Sequence, residues 1–146
     1  MTTKITYFVH GTTTDNEKDL ATGWNPGELS TLGKQQAKEL GNLVADKYFD
    51  AVLCSDLQRA VDSAELGFGD VYTILQDERL RECNYGDYTL KSVSKFENDM
   101  GKFVNKPFPN GESYKDVEVR MASFLELLQE KWDGKHVAIV AHQAPQ

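Results

Sequence analysis

Short apolar runs alternate with amphipathic stretches along the chain. Ile5-Thr6-Tyr7-Phe8-Val9 reads as a strand ending at His10. Ser30 or Thr31 then caps a helix to about Lys47, with Leu32, Leu40, Leu43 and Val44 on one face. Asp50-Ala-Val-Leu-Cys54 is a second strand, Leu57, Ala60, Val61 and Ala64 mark a helix ending near Gly67, and Val71 to Leu75 reads as a third strand. Ser113-Tyr-Lys-Asp116 has the pattern of a capping box. It opens a helix whose Val117, Met121, Phe124, Leu125, Leu128 and Trp132 recur at intervals of three and four. Gly134 ends that helix before the strand Val137-Ala-Ile-Val-Ala141. The alternation predicts an α/β fold, a three-layer sandwich whose mainly parallel central sheet is flanked by helices on both faces.

Two segments break the regularity. Residues 77–111 are polar and irregular, with a short helix expected near 92–103, and are longer than a connection requires. A cap-like insertion over an active site is the expectation there. After His142 only Gln143-Ala-Pro-Gln146 remains, too short for the helix that covers a central strand of a doubly wound sheet. The expectation is a single domain over residues 1–146 that lacks its C-terminal part, with apolar surface left open beside the His142 strand.

Composition narrows the choice of ligand. The 146 residues carry a formal charge of -7, and no run of Lys or Arg offers a stripe for nucleic acid or anionic lipid. The N-terminal residues have no apolar leader, and no apolar stretch approaches the ~20 residues that span a bilayer. A cytoplasmic protein without nucleic-acid or membrane partners, monomeric or homodimeric, is expected. Cys54 and Cys83 form neither a disulfide framework nor a metal-ligand spacing, so reduced thiols are expected.

Candidate chemistry centres on the two histidines that close strands. Ligands of open α/β sheets bind at the carboxyl ends of the strands, where His10 and His142 can share one small anion. His136 begins the last strand, about 20 Å from His142 at strand rise, and reads as structural. Arg59 lies off the apolar stripe of its helix, where periodicity alone predicts solvation, but it is in the first turn, where an anion would sit.

Four blocks occur in order. They are His10-Gly11 with Asn16, Gly23-Trp24, Leu29-Ser30 and Gly33; Ser55-Asp-Leu-Gln-Arg59-Ala-Val-Asp-Ser-Ala64; Leu80-Arg-Glu82-Cys-Asn-Tyr-Gly86; and Val140-Ala-His142. Together they resemble the histidine phosphatase superfamily, also called phosphoglycerate mutase-like, from residue 5 to residue 142. The resemblance implies phosphoryl transfer without metal or other cofactor, in which His10 attacks phosphorus and becomes a transient phosphohistidine. It assigns phosphate clamping to the planar fork of Arg59, a second phosphate contact to His142, and proton transfer to Glu82, whose carboxyl then needs a raised pKa. Supporting substrate contacts would come from Gly11, Asn16, Thr22, the Gly23 backbone and Gln143.

The chain departs from that pattern where Val9 replaces the arginine of Arg-His-Gly and Gln143 replaces a glycine. Loss of one charge-assisted donor lowers a rate by roughly two to three orders of magnitude; Arg79 or Arg81 is the candidate replacement. The leading reading is a metal-independent phosphomonoesterase for a small phosphorylated metabolite. Its alternatives are a phosphoglycerate mutase-type phosphotransferase and a catalytically impaired phospho-ligand-binding protein. The absence of arginine from residues 86–111 favours hydrolysis over the mutase. Tyr85, Tyr88, Phe96, Phe103 and Phe108 are expected to pack the cap.

Overall fold

The structure, a computed structural model, covers residues 1–146. Its strands are β1 (Lys4–Val9), β2 (Ala51–Cys54), β3 (Ile74–Gln76) and β4 (His136–Ala141). Its α-helices are α1 (Thr14–Glu17), α2 (Thr31–Leu43), α3 (Gln58–Phe68), α4 (Val93–Phe96) and α5 (Tyr114–Lys131). The strands form one all-parallel sheet in the order β1-β4-β2-β3.

Alternation along the central strands sorts the core into two layers. Ala51, Leu53, Val137, Ile139 and Ala141 pack with Phe124 and Leu128 of α5. Val52, Cys54, Ala138 and Val140 face the other way, against Ala64 and Phe68 of α3, with Leu40 and Val44 completing that layer. A strand buried on both faces must be apolar throughout, and five of the six residues of β4 are buried.

Several boundaries differ from those the pattern predicts. α2 stops at Leu43, because Val44 leaves helical geometry and the next amides close short turns. Leu32 and Leu43 are exposed, and the buried residues of α2 are Gly33 and Ala37. The cause is close approach: a Cβ on Gly33 would sit 1.9 Å from the Thr12 carbonyl oxygen, and one on Gly41 would sit 2.2 Å from that of Gly67 on α3. The face of α2 that meets the Thr12 loop and α3 is therefore made of small residues, with Leu40 reaching the core beside them. β3 begins three residues late, with Val71 exposed in a turn, and Leu125 of α5 faces solvent. β4 lies between β1 and β2, and β1 and β3 are the edges of the sheet.

Residues 77–111 contain α4 and short 3-10 turns, and they carry a third apolar cluster. Phe96, Phe103 and Phe108 join Cys83, Ala21 and Val117 there, with the Phe103 and Phe108 rings stacked at 4.0 Å. Ser113 caps α5 through a reciprocal box with Asp116, which ties the end of this segment to the helix.

Phe124→Ala removes a ring with no exposed surface from the α5 layer and is expected to cost about 3–5 kcal/mol. Leu125→Ala, one residue further, is expected to stay within about 0.5 kcal/mol. Urea midpoints of the two variants at constant m-value measure the difference.

Candidate active site

Parallel register brings the histidines together. Val9 pairs with Ala141, and the His10 amide continues the ladder to the Ala141 carbonyl at 2.9 Å. The two imidazoles meet at the carboxyl edge of the sheet, ring centroids 5.1 Å apart at 64°.

Neighbours of His10 define its tautomer. Nδ1 lies 2.6 Å from the Gly11 carbonyl oxygen, which can only accept, so Nδ1 carries the proton. Nε2 faces the Nε–H of Arg59 at 3.3 Å, which can only donate, so Nε2 carries the lone pair. Burial lowers the His10 pKa to about 4, assisted by the Arg59 charge and opposed by the bond to Gly11. The ring is neutral at pH 7, with its basic nitrogen turned to the guanidinium.

Arg59 is 2% exposed, contrary to the solvation its helical position predicts. Its Nη1 donates to the carbonyl of Asn25 at 2.7 Å and its Nη2 to that of Gly23 at 2.8 Å. Gly27 completes this loop at φ +66, where a Cβ would press within 3.3 Å of Arg59 Cδ, so both the conformation and the contact require glycine. The fork that was expected to face phosphate is thus partly spent on the loop.

His142 is fully buried behind His10. Its Nε2 lies 2.9 Å from Ser55 Oγ, and the Tyr7 hydroxyl donates to its carbonyl at 2.6 Å. Ser55 Oγ already accepts from the Leu57 amide, so its own O–H is free to donate to Nε2. Nδ1 of His142 has no hydrogen-bond partner. Burial, and then the Arg59 charge, hold the His142 pKa well below the usual histidine range.

Glu82 comes from the segment between β3 and α4. Its Oε1 accepts from the amides of Cys83 at 2.8 Å and Ala144 at 3.2 Å. Burial raises its pKa above the ordinary carboxyl range despite those bonds and the nearby Arg59 and Arg120 charges. A cleft of about 460 Å³ is lined by His10, Arg59, Glu82, Asn16, Thr22 and Gly23, with Gln143 and cap residues including Tyr85 at its rim.

The remaining expected residues divide. Asn16 Oδ1 caps α1 through the Thr13 amide, leaving its NH2 end for the cleft, and Thr22 Oγ1 donates to Asp15. Gly11 lies outside the lining: its amide donates to Ser63 Oγ, and a Cβ there would strike the Gly33 carbonyl at 2.4 Å. Val9 borders a separate groove along β1. Arg79 and Arg81 do not line the cleft; they form bidentate pairs with Asp77 and Asp56, the latter pair at 2.8 and 2.7 Å. His136 bonds Thr6 Oγ1 and packs edge-on against Phe49, away from the cleft. Sequence reasoning missed Ser55, Ser63 and Arg120. Ser55 and Ser63 stand in the Ser55–Ala64 block without an assigned role, and Arg120 is a charge inside the apolar stripe between Val117 and Met121.

The family model described as histidine phosphatase superfamily (branch 1) matches residues 7–146. The chain belongs to this superfamily. It is 31% identical to a 2,3-bisphosphoglycerate-dependent phosphoglycerate mutase of Parvibaculum lavamentivorans, over 91% of this chain and 71% of that one. It is 30% identical to the adenosylcobalamin/alpha-ribazole phosphatase of Escherichia coli, over 92% of this chain and 70% of that one. Among solved structures, a mycobacterial glucosyl-3-phosphoglycerate phosphatase with VO3 superposes at TM-score 0.84 and 26% identity, covering 95% of this chain and 75% of the other. The alpha-ribazole phosphatase of Shigella flexneri gives 0.82 and 28%, covering 95% and 73%. The relatives of this histidine phosphatase are phosphatases and mutases, and the family assignment makes it an enzyme of the same class. None of its helices is long and apolar enough to cross a membrane.

The depressed His10 pKa links the site to folding. Between pH 6.5 and about 4 the unfolded chain binds a proton at this residue and the native chain does not, so stability present above 6.5 falls with acidification. A shift of this size corresponds to roughly 3 kcal/mol at full development. Glu82, shifted upward, acts in the opposite sense, losing stability as pH rises through its native pKa. His10→Gln is expected to flatten the acid side of a plot of urea midpoint against pH; an unchanged acid slope contradicts the shift.

Proposed function

We propose that this histidine phosphatase is a metal-independent phosphomonoesterase of a small phosphorylated metabolite, acting through phosphohistidine on His10. The observation that carries the reading is the His10 tautomer: Nδ1–H is tied to Gly11 and the Nε2 lone pair faces the cleft beside Arg59. An imidazole arranged in this way is a nucleophile at neutral pH without a separate base.

In the first step Nε2 forms a bond to phosphorus while the bond from phosphorus to the ester oxygen breaks. Glu82 transfers its proton to that departing oxygen. In the second step water attacks phosphorus, Glu82 takes the water proton, and cleavage of the P–N bond returns neutral His10 and inorganic phosphate. Arg59 and His142 meet the charge on the equatorial oxygens, where phosphoryl transfer needs fixed donors. The free Nδ1 of His142 supports that role, because it has no hydrogen-bond partner within the chain and, in the tautomer in which Ser55 donates to Nε2, carries a proton. Segment 77–111 acts as the cap, and Asn16, Thr22, the Gly23 amide and Gln143 as supporting contacts.

Hydrolysis of para-nitrophenyl phosphate in EDTA is expected for the wild type and is expected to vanish in His10→Ala. Acid-labile, base-stable phosphate on His10 after rapid quench would identify the intermediate. Phosphate binding without turnover would instead mark a phospho-ligand-binding protein, and phosphate exchange between glycerate phosphates without net release would mark a mutase.

Glu82→Gln tests the proton donor. The loss is expected to be about 100-fold or more on phenyl phosphate, whose leaving group needs protonation, and much smaller on para-nitrophenyl phosphate. Equal losses on the two esters remove Glu82 from the role.

A further inference from the structure

Arg120 lies on α5, outside the cleft lining, with its side chain 16% exposed. Every edge of its guanidinium is used. Nε and Nη2 form a bidentate pair with Glu112, both at 3.0 Å. Nη1 donates to the carbonyls of Arg79 and Arg81, each at 2.7 Å, and Nη2 donates to the carbonyl of Glu82 at 2.9 Å. Glu112 extends the clamp, since its Oε1 also accepts from the Asn84 amide at 2.9 Å and its own amide donates to the Asn84 carbonyl at 2.8 Å.

Residues 79–84 are therefore held on both sides of Glu82. This stretch leaves a 3-10 turn at Leu80 and is extended at Arg81, so it has no helix or sheet ladder of its own. The carbonyls of Arg79, Arg81 and Glu82 share one side chain as donor, and that of Glu82 also accepts from the Trp24 indole N–H at 2.8 Å. Three carbonyls and a carboxylate around one planar group suit a guanidinium; an ammonium has three donors and no fixed plane.

We infer that Arg120, with Glu112, is a positioning residue that sets the Glu82 carboxyl in the cleft. Arg120 holds the Glu82 backbone while Glu82 Oε1 accepts from the amides of Cys83 and Ala144, and the residue so held lines the cleft. The inference rests on the proposed role of Glu82 as proton donor. It adds that proton transfer depends on a residue of a different element that touches no substrate.

The test compares wild type, Glu82→Gln, Arg120→Lys, Glu112→Gln and the double variant Arg120→Lys/Glu82→Gln on phenyl phosphate and para-nitrophenyl phosphate. Thermal melts select a temperature at which all are folded. Arg120→Lys is expected to lower kcat on phenyl phosphate about 10-fold or more, a part of the general-acid contribution, with a smaller loss on the nitrophenyl ester and little change in KM. Glu112→Gln, which keeps the shape but turns one acceptor into an NH2 donor facing the clamp, should follow in the same direction. The double variant should be no slower than Glu82→Gln alone, because both changes remove the same step. Equal losses by Arg120→Lys on the two esters, or losses that add to those of Glu82→Gln, overturn the inference while leaving the role of Glu82 standing. If Glu82→Gln itself does not discriminate between the esters, or if the wild type hydrolyses neither, the reading of the site fails and the inference with it.

Discussion

Burial of one guanidinium organises this molecule. A charged group removed from water costs several kcal/mol unless oxygen acceptors surround it, and Arg59 obtains them from the carbonyls of Gly23 and Asn25. That requirement shapes the loop before α2 and explains Gly27, which passes against the Arg59 stem. It also joins three parts of the chain, since the same side chain on α3 reaches His10 at the end of β1. The loop, the nucleophile and the first turn of α3 therefore form one unit.

The sheet supplies the second constraint. With β4 between β1 and β2, the ladders at Val9, Ala141 and Cys54 end together, and His10, His142 and Ser55 emerge side by side. The His142 ring has its orientation from Ser55 and its backbone from Tyr7. Neither histidine needs a flexible loop to reach the other, so the pair is a product of strand register. Glu82 has no such support from the sheet: its carbonyl accepts from Arg120 of α5 and from Trp24, and its carboxylate from the Cys83 and Ala144 amides.

What was legible in the chain follows this division. Strands ending in histidine, the capping box at Ser113 and the stripe of α5 are local patterns, and the structure realises them at the expected places. The face of α2 was read only in part: Leu40 and Val44 pack as expected, but the buried residues are Gly33 and Ala37, which carry little apolar signal, while Leu32 and Leu43 stand in solvent. Arg59 looked exposed because helical periodicity describes one helix and does not show the Gly23–Gly27 loop folding over its other side. Arg81 looked free because its partner Asp56 is reached only through tertiary geometry, whereas Arg79 is paired locally, with the Asp77 that caps its own 3-10 turn. Long-range polar pairing leaves little trace in a single sequence.

Charge balance bears on the proposed reading of a site with Val9 in place of an arginine. Among the residues lining the cleft Arg59 is the one fixed cation, and both histidines are held neutral by burial. A phosphate dianion entering on the proposed reading alters each of these terms in a useful direction. It offers an acceptor to His142 Nδ1 and favours a proton on that ring, which adds a second cation where the charge is needed. It also disfavours ionisation of Glu82, keeping the proton that the leaving oxygen requires. A permanently charged arginine at position 9 would strengthen phosphate binding in every state, whereas the response of His142 and Glu82 depends on the substrate being present. On that reading the cost of burying these groups is offset by the anion, which ties proton delivery to substrate binding.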